Sequence, residues 1–382
     1  MRKIKIGTII IFALIISLPL FFQWIGVSFN DSKAENRRLK ARPTFSLEQS
    51  RAGKGSLRTA LGFYRDVIGF KDAYDKYYSD NFVLKASLFK SYYAIQTNLF
   101  GVNALPRKVV KGNNGWFFLG NSYSNVITES KGIDAFKEEE LQKIKKKLLQ
   151  KKAWLKARNI DFYVAVAPNK HSIYGEELPI QKSQQLTKLE QLKALFNPEE
   201  LNFIDLSDSF PKTPIQRLYH KTNTHWNDYG AYWGYKALAS SIKQQYPKLL
   251  IPTLDSFELL TEISDQEDLT GMLNIKVKEE RIVLQPKNSI AQEKKSTLAV
   301  PKNTKNYVFN YTSTANKIKV LAFRDSFFTN LMKFMNETFG ETVYIWRLFD
   351  EEVIKIEQPD IVILEIIERD LDNLLLLEDS IH

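Results

Sequence analysis

The chain has 382 residues, of which 44% are hydrophobic and 13% aromatic, enough for one large domain or two smaller ones with a packed core. Its formal net charge of +10 comes mostly from lysines spread along the chain, and no nucleic-acid-binding motif accompanies them. The chain has no cysteine, which excludes disulfides, thiolate metal sites and cysteine nucleophiles.

The N-terminus carries a membrane-targeting signal. Arg2, Lys3 and Lys5 precede an uncharged, apolar stretch at residues 6–29, about the length that spans a hydrocarbon core as a helix. Cations before a single span predict a cytoplasmic N-terminus and a body outside the inner membrane, on the periplasmic or extracytoplasmic side. We therefore interpret residues 1–34 as a membrane anchor. A cleaved signal peptide is the alternative, because small residues follow the stretch at cleavage spacing.

Two further regions follow the anchor. Residues 35–101 predict a lead segment of short, aromatic-rich helices, and residues 102–382 predict the main domain. Near the start of that domain, residues 111–119 indicate a turn between two strands. Apolar residues at helical spacing then predict a helix at residues 136–158.

The rest of the main domain alternates between strands and helices, which predicts an α/β layer fold with a mostly parallel sheet. A lysine-rich region at residues 272–317 breaks this rhythm and indicates an insertion or a small hairpin. The helix at residues 229–246 has Asn227 or Asp228 as its expected N-cap. The predicted strands are 162–167, 202–206, 318–323, 342–346 and 360–366, and the other predicted helices are 184–196 and 327–339.

A histidine and a serine supply the minimum for acyl transfer. His225 is one of only four histidines and has Asn223 two positions upstream. Ser326 ends a strand and opens a predicted helix, where its hydroxyl reaches the carboxyl edge of the sheet and backbone N–H groups can stabilise an oxyanion. A structural alternative stays open, in which Ser326 and Asp325 only cap the helix.

Other chemistries find little support. Neither the dinucleotide nor the P-loop pattern occurs, so no nucleotide cofactor is expected. The serine elbow Gly-x-Ser-x-Gly is also missing. His220 and His225 are the only metal candidates, and their five-residue spacing without an acidic cluster disfavours a metal site.

Several short motifs, in order, resemble one known family. They are Gly112 with Gly115-Trp116-Phe117-Phe118, Ala167-Pro168-Asn169-Lys170, Thr224-His225-Trp226 with Gly230-Ala231, Asp325-Ser326-Phe327, and Pro359-Asp360-Ile361-Val362 through Glu368-Arg369. On these residues the chain resembles the AlgX/AlgJ group of SGNH hydrolase-like proteins, to which the DHHW proteins are related. The resemblance implies a three-layer α/β fold with a permuted motif order, and O-acetylation of exopolysaccharides such as alginate.

The resemblance also implies roles for individual residues. Ser326 is the expected nucleophile, His225 the general base, and Asn223 the orienter where the family usually has aspartate. No dissociable cofactor and no metal are expected. The expected partners are a polysaccharide acceptor and a membrane-bound O-acyltransferase that hands over acetyl groups. The residues expected at the substrate or oxyanion site are Asn169, Lys170, Tyr174, Arg324 and Trp226.

Asn223 leaves two alternatives to the transferase. An asparagine orients the imidazole but does not stabilise imidazolium by charge, and exchanging the triad aspartate for asparagine in a serine protease lowers turnover by about 10⁴-fold. A catalytically weak or inactive glycan-binding subunit of an export complex is therefore one alternative. An acetylesterase with the same residues is the other. Asp228 replaces the aspartate only if its loop folds back onto His225.

Overall fold

The computed structural model describes residues 40–52, 55–82, 88, 91–92, 95–99, 107–178, 180, 182–296, 298 and 308–378, with six single positions before residue 40. The helices are α1 Glu48–Ala52, α2 Ser56–Asn81, α3 Val126–Ser130, α4 Glu138–Lys156, α5 Lys170–Ile173, α6 Lys188–Leu195, α7 Asp228–Gln245, α8 Asp268–Met272, α9 Thr329–Asn336 and α10 Glu351–Glu357. The strands are β1 Val109–Lys111, β2 Phe117–Leu119, β3 Asp161–Ala167, β4 Asn202–Asp205, β5 Phe257–Ser264, β6 Glu279–Pro286, β7 Gln292–Lys294, β8 Val308–Thr312, β9 Lys319–Phe323, β10 Glu341–Ile345 and β11 Ile361–Ile367. The chain divides into two compact units, residues 1–105 with 270–276 and residues 106–269 with 277–382.

The larger unit is built on a seven-stranded sheet in the order β4-β3-β11-β9-β10-β8-β7. The first five strands of this order run parallel to one another, whereas β8 and β7 pair antiparallel at one edge. The prediction of an α/β fold with a mostly parallel sheet is therefore confirmed. Parallel strands bring the carboxyl ends of β3, β9 and β11 to one edge, where ligands bind in open α/β sheets.

Helices cover both faces of this sheet, which gives three layers. On one face, Phe162, Val164 and Val166 of β3 join a buried cluster that α4, α6 and α10 also enter. On the other face, the Tyr344 hydroxyl of β10 donates to the Asn336 side chain of α9 at 2.6 Å. Successive strand residues point to opposite faces, so each buried strand reads as a continuous apolar run.

Residues 272–317 are more regular than the sequence indicates. β6 pairs with β5 over eight residues to form a separate antiparallel sheet, and β8 extends the main sheet by pairing with β10. The expected hairpin corresponds to β7 and β8, which pair antiparallel, but the sequence did not indicate that this pair extends the main sheet. The reason is local: the five residues of β8 bury only Asn310 fully, so its sequence lacks the apolar run of a central strand.

Helix boundaries follow their caps. The Asn227 side chain accepts the backbone N–H of Gly230 at 2.9 Å, which makes it the N-cap of α7, one of the two expected caps. Thr187 and Glu190 form a capping box that starts α6 four residues later than predicted. The helix predicted from residue 327 begins at Thr329 instead.

The smaller unit contains a helix longer than the short ones predicted. α2 is 26 residues long, and no proline occurs between Pro43 and Pro106 to end it earlier. α1 packs beside it, with the backbone N–H of Ser50 donating to Asp66 at 2.9 Å. The predicted lead segment at residues 35–101 is described only in part.

The predicted anchor at residues 1–34 lies outside the described residues except for six single positions. Within the part of the chain that the structure describes, no helix is both long and apolar enough to cross a membrane. The anchor therefore stays a prediction from the sequence.

Candidate active site

The loop before α7, here called the histidine loop (residues 219–226), is closed at its base. Tyr219 and Trp226 form an isolated antiparallel β-bridge. Gly230, in the first turn of α7, lies so close to Leu218 that a Cβ atom would meet its carbonyl oxygen at 2.1 Å. Glycine is required at this approach, and the loop is thereby held against the start of α7.

Lys170 holds the backbone of the histidine loop. Its ammonium group donates to the carbonyl oxygens of His220, Lys221 and Asn223 at 3.1, 3.3 and 2.6 Å. The Lys170 residue is only 2% exposed, and burial lowers its pKa to about 7. Lys170 therefore helps to shape the histidine loop.

Glu279 of β6 holds two further backbone groups of the histidine loop. Its carboxylate accepts the N–H groups of Lys221 and Thr222 at 2.6 and 2.8 Å, and it also accepts the Thr222 hydroxyl. Charged acceptors make stronger hydrogen bonds than neutral ones, so this contact fixes the loop firmly. No local sequence signal joins Glu279 to a loop 57 residues away.

The turn that carries Ser326, here called the serine turn (residues 324–328), is organised by Asp325. One carboxylate oxygen of Asp325 accepts the N–H of Phe327 at 2.8 Å, and the other accepts the N–H of Ile367 at 2.7 Å. This turn occupies the residues before α9, which is why the helix begins only at Thr329. The Asp325 carboxylate binds backbone on both sides and belongs to the scaffold, while Ser326 as a whole is half-buried.

The two segments bring Ser326, His225 and Asn223 into one hydrogen-bonded chain. His225 Nε2 lies 2.8 Å from Ser326 Oγ, and His225 Nδ1 lies 2.8 Å from Asn223 Oδ1. Asn223 Nδ2 donates to Glu267 Oε2 at 2.6 Å, which leaves the amide oxygen facing the imidazole. Because that oxygen only accepts, Nδ1 carries the proton and Nε2 is free to accept the serine proton.

The His225 imidazole is uncharged at neutral pH. Burial lowers the pKa of His225 to about 3, and the cations of Arg369 and Lys170 act in the same direction. The neutral ring is the form that accepts a proton from serine.

Trp226 connects the histidine loop to the serine turn. Its indole N–H donates to the carbonyl oxygen of Phe327 at 3.0 Å, and the whole residue is buried. The Phe327 ring in turn lies 4.6 Å, between centroids, from the imidazole of His225. Trp226 was expected at the substrate site, but its contacts make it the support that fixes the distance between base and nucleophile.

Tyr174 and Arg324, two further residues expected at the substrate site, also contact other parts of the chain. The Tyr174 hydroxyl accepts the N–H of Leu218 at 3.0 Å, and its ring stacks on Trp116 at 4.2 Å. The Arg324 guanidinium donates to Asp325 O at 3.0 Å and to Thr329 Oγ1 at 3.1 Å. Arg324 is buried against aromatic rings, so its long side chain braces the serine turn.

Like Arg324 at its Nε, Asn169 has a buried donor without a hydrogen-bond partner among the described residues. It follows the carboxyl end of β3 and is 1% exposed, and its N–H donates to Glu368 at 2.7 Å. Its Nδ2 has no hydrogen-bond partner among the described residues. Buried polar groups in native proteins nearly always have partners, so the unpaired Nδ2 after the carboxyl end of β3 makes Asn169 the candidate oxyanion donor.

Three residues near the site were not identified as site residues from the sequence: Arg369, Glu267 and Asp268. The Arg369 guanidinium lies 5.2 Å from the centre of the Phe327 ring and lowers the pKa of His225. Its position directly after β11 was a usable signal, because that strand ends beside β9 and β3. The two acids come from the segment between β5 and β6 and have no such signal.

Asp228 does not replace the missing aspartate. Its carboxylate pairs with Lys333, and it accepts the Asn330 side chain at 2.8 Å and the N–H of Leu284 at 2.9 Å. The loop does not fold back, so the condition stated from the sequence is not met. Among the residues that the structure describes, no group of three acidic or histidine side chains is arranged to hold a metal ion.

Comparison with known proteins gives the family. The family model of the SGNH hydrolase-like domain of the acetyltransferase AlgX matches residues 109–368, more than half of the chain. The matched span contains the histidine loop and the serine turn. A search of curated proteins gave no significant match.

The two solved structures with a TM-score above 0.5 share the fold of this chain. Bacillus cereus PatB1 matches with a TM-score of 0.53 at 16% identity, over 71% of this chain and 99% of that chain. PatB1 with a sulfonyl adduct gives a TM-score of 0.52 at 17% identity over the same shares, 71% and 99%. A DHHW family protein from Eubacterium siraeum gives 0.48 at 11% identity, over 70% and 98%. With the family match over residues 109–368, the resemblance read from the sequence is confirmed: the chain belongs to the family of SGNH hydrolase-like acetyltransferase domains of the AlgX type.

Proposed function

We propose that this protein is an O-acetyltransferase that moves acetyl groups onto a polysaccharide through an acetyl ester of Ser326. The observation that carries the proposal is the continuous contact from Ser326 Oγ through the His225 imidazole to Asn223. This is the arrangement of an activated serine, in which a base takes the hydroxyl proton and an orienter fixes the base.

The reaction proceeds in two balanced steps. Ser326 Oγ attacks the carbonyl carbon of an acetyl ester while His225 Nε2 takes the serine proton, and the donor's acyl C–O bond breaks with that proton passing to the leaving oxygen. A sugar hydroxyl then gives its proton to His225 and attacks the acetyl carbonyl. The bond from the acetyl group to Ser326 breaks, and the serine regains its proton.

Asn169 is the proposed oxyanion donor. Both tetrahedral intermediates place negative charge on the former carbonyl oxygen, and a preorganised donor stabilises that charge. The Asn169 Nδ2 group is buried and without a partner among the described residues, which supports this role. No cofactor enters either step.

The location and partners are part of the proposal. The apolar stretch at residues 6–29 supports an anchor in the inner membrane, with residues 35–382 on the extracytoplasmic side. There the acceptor is an exopolysaccharide or cell-surface glycan, and the acetyl donor is a membrane-bound O-acyltransferase. Alginate is one acceptor of this class.

The test uses purified full-length protein in mild detergent with p-nitrophenyl acetate as donor. We expect a rapid release of p-nitrophenol and a mass increase of one acetyl group on the peptide that contains Ser326. With oligosaccharide acceptors present, we expect acetylated sugar. Ser326→Ala is the test variant. Ser313→Ala is its matched control, because Ser313 is a serine whose hydroxyl donates to the backbone carbonyl of Phe339.

Two results would replace the proposal. Acetyl release to water with every acceptor would identify an acetylesterase, because water exclusion from the site is what separates transfer from hydrolysis. No Ser326 adduct, with equal rates for wild type and Ser326→Ala, would favour the non-catalytic glycan-binding subunit, for which Asn223 is the supporting observation.

A further inference from the structure

The site lacks the negative charge that normally faces the base of a serine triad. Asn223 fills the orienter position, and its amide oxygen accepts from His225 Nδ1 at 2.8 Å. An amide fixes the ring but carries no net charge to stabilise the imidazolium that forms during each proton transfer. The charge has to come from elsewhere if the proposed reaction is to run efficiently.

Two adjacent acids lie directly behind this orienter. Glu267 Oε2 accepts from Asn223 Nδ2 at 2.6 Å, so a carboxylate contacts the orienter itself. Asp268 Oδ2 lies 3.9 Å from His225 Nδ1, with the Thr224 hydroxyl between them. That hydroxyl donates to Asp268 and lies 3.1 Å from Nδ1.

A carboxylate at the distance of Asp268 can still stabilise the protonated ring of His225. Coulomb attraction falls as the inverse of distance, so a carboxylate oxygen at 3.9 Å keeps about 70% of the attraction that it would have at 2.8 Å in the same dielectric. The side chains of Glu267 and Asp268 are only 8% and 20% exposed, which limits screening by solvent. Arg281 lies 3.5 Å from Glu267 and offsets part of its charge, so Asp268 is the acid that faces the imidazole. The amide orientation also depends on Glu267, because a carboxylate accepts only from Nδ2.

We propose that Glu267 and Asp268 form a split acid that supplies the charge missing at position 223, with Asn223 orienting the His225 ring and Asp268 stabilising its protonated form. This inference rests on the proposed acyl transfer through Ser326. Glu267 and Asp268 are positioning residues, since they act on the reaction only through His225 and Asn223.

A purely structural role for Asp268 is the competing explanation. Its Oδ1 accepts the N–H of Thr224 at 2.9 Å and thereby supports the histidine loop. The two explanations differ when the missing aspartate is restored. A charge at position 223 makes a second charge at Asp268 redundant, whereas loop support is needed in either case.

The experiment is a double-mutant cycle between Asn223→Asp and Asp268→Asn, read as the rate of Ser326 acylation by p-nitrophenyl acetate in the full-length protein. We expect Asp268→Asn alone to slow acylation about 10- to 100-fold without a change in KM. In the Asn223→Asp background, we expect Asp268→Asn to lower the acylation rate by less than about twofold. Asp265→Asn, an exposed acid three residues earlier, is the matched control and should leave both backgrounds unchanged.

Thermal melting checks that each variant folds. If Asp268→Asn does not fold, Glu267→Gln replaces it in the same two backgrounds. Equal losses in both backgrounds would overturn the split acid in favour of loop support, as would an unchanged rate for Asp268→Asn alone. Either of these results, obtained with an acylated wild type, leaves the proposed function in place. Acylation of Asn223→Asp but not of wild type would overturn both proposals, because the chain with its own Asn223 would then lack acyl transfer. Acylation of neither would overturn the proposed function, and the split acid with it.

Discussion

The two segments that meet at the site are held in opposite ways. The histidine loop is fixed by side chains from other parts of the chain, chiefly Lys170 and Glu279, which bind its backbone carbonyl and N–H groups. The serine turn is held mainly by its own side chains, because Asp325 accepts two backbone N–H groups and Arg324 donates to Asp325 O and Thr329 Oγ1. Trp226 and Glu365 add contacts from outside the turn.

This difference explains how the site tolerates Asn223. A loop held by Lys170, Glu279 and Asp268 keeps its shape when one of its own side chains changes from acid to amide. The exchange then alters charge without altering geometry. In the serine turn the same exchange at Asp325 would alter geometry first, so substitutions on the two sides are expected to have different signatures.

The largest effect is expected for His225→Ala. Without the base that contacts Ser326 Oγ, acylation should fall by about 10⁴- to 10⁶-fold, as for other serine enzymes that lose a triad member. The melting temperature should change little, because Lys170 and Glu279 still hold the loop. His220→Asn is the control, a buried histidine of the same loop, and its rate should stay within about tenfold of wild type. A similar collapse for His220→Asn would mean that loop shape, not the base, was lost.

Asn169→Ala should have the next largest effect. Removal of an oxyanion donor lowers kcat by about 10²- to 10³-fold. KM should stay unchanged, because the interaction with the donor forms only in the transition state. Asn310→Ala is the matched control, a buried asparagine on β8 whose amide oxygen also lacks a partner among the described residues. An equal fall in kcat for both variants, or a rise in KM alone for Asn169→Ala, would exclude the oxyanion role.

Asp325→Ala tests the support of the serine turn. Two backbone N–H groups lose a charged acceptor in a buried setting, and the free energy of unfolding should fall by about 3 kcal/mol. Asp350→Ala is the control, since Asp350 also accepts two backbone N–H groups but caps the exposed start of α10, where a loss of about 1 kcal/mol is expected. Denaturant unfolding measures both, and equal losses would contradict the role of Asp325 as a main support of the serine turn.

The sequence predicted what depends on local pattern. Each central strand of the main sheet is a short apolar run, and Asn227 is a recognisable cap, so strands and helix starts were placed within a few residues. His225 and Ser326 were identified because each adjoins such an element. Their hydrogen bond spans 101 residues and follows from the parallel sheet, which gathers strand ends at one edge.

The contacts that support the site were beyond a sequence-based prediction. Glu267 and Asp268 reach the histidine loop from 44 residues away, and nothing in the pattern of β5 indicates that its far end lies there. Lys170 and Trp226 were expected beside substrate because they adjoin the motifs, yet their donors bind backbone carbonyls. Which atom a buried polar side chain contacts is decided by tertiary packing, not by its neighbours in sequence.

The smallest effect is expected in the pH dependence of kcat/KM. It also compares the two segments, because Arg369 contacts Phe327 of the serine turn and lowers the pKa of His225 in the histidine loop. With the pKa of His225 lowered to about 3, the base is neutral at higher pH, so kcat/KM should vary little between about pH 5 and 8 and fall only as protonation begins at lower pH. Arg369→Met removes a cation that opposes imidazolium, so the pKa of His225 should rise and the acid limb should move to higher pH, by roughly one unit. Arg347→Met, an exposed arginine paired with Asp350, should leave the limb in place. An unmoved limb in Arg369→Met, or one that moves to lower pH, would show that the charge of this guanidinium does not oppose protonation of His225.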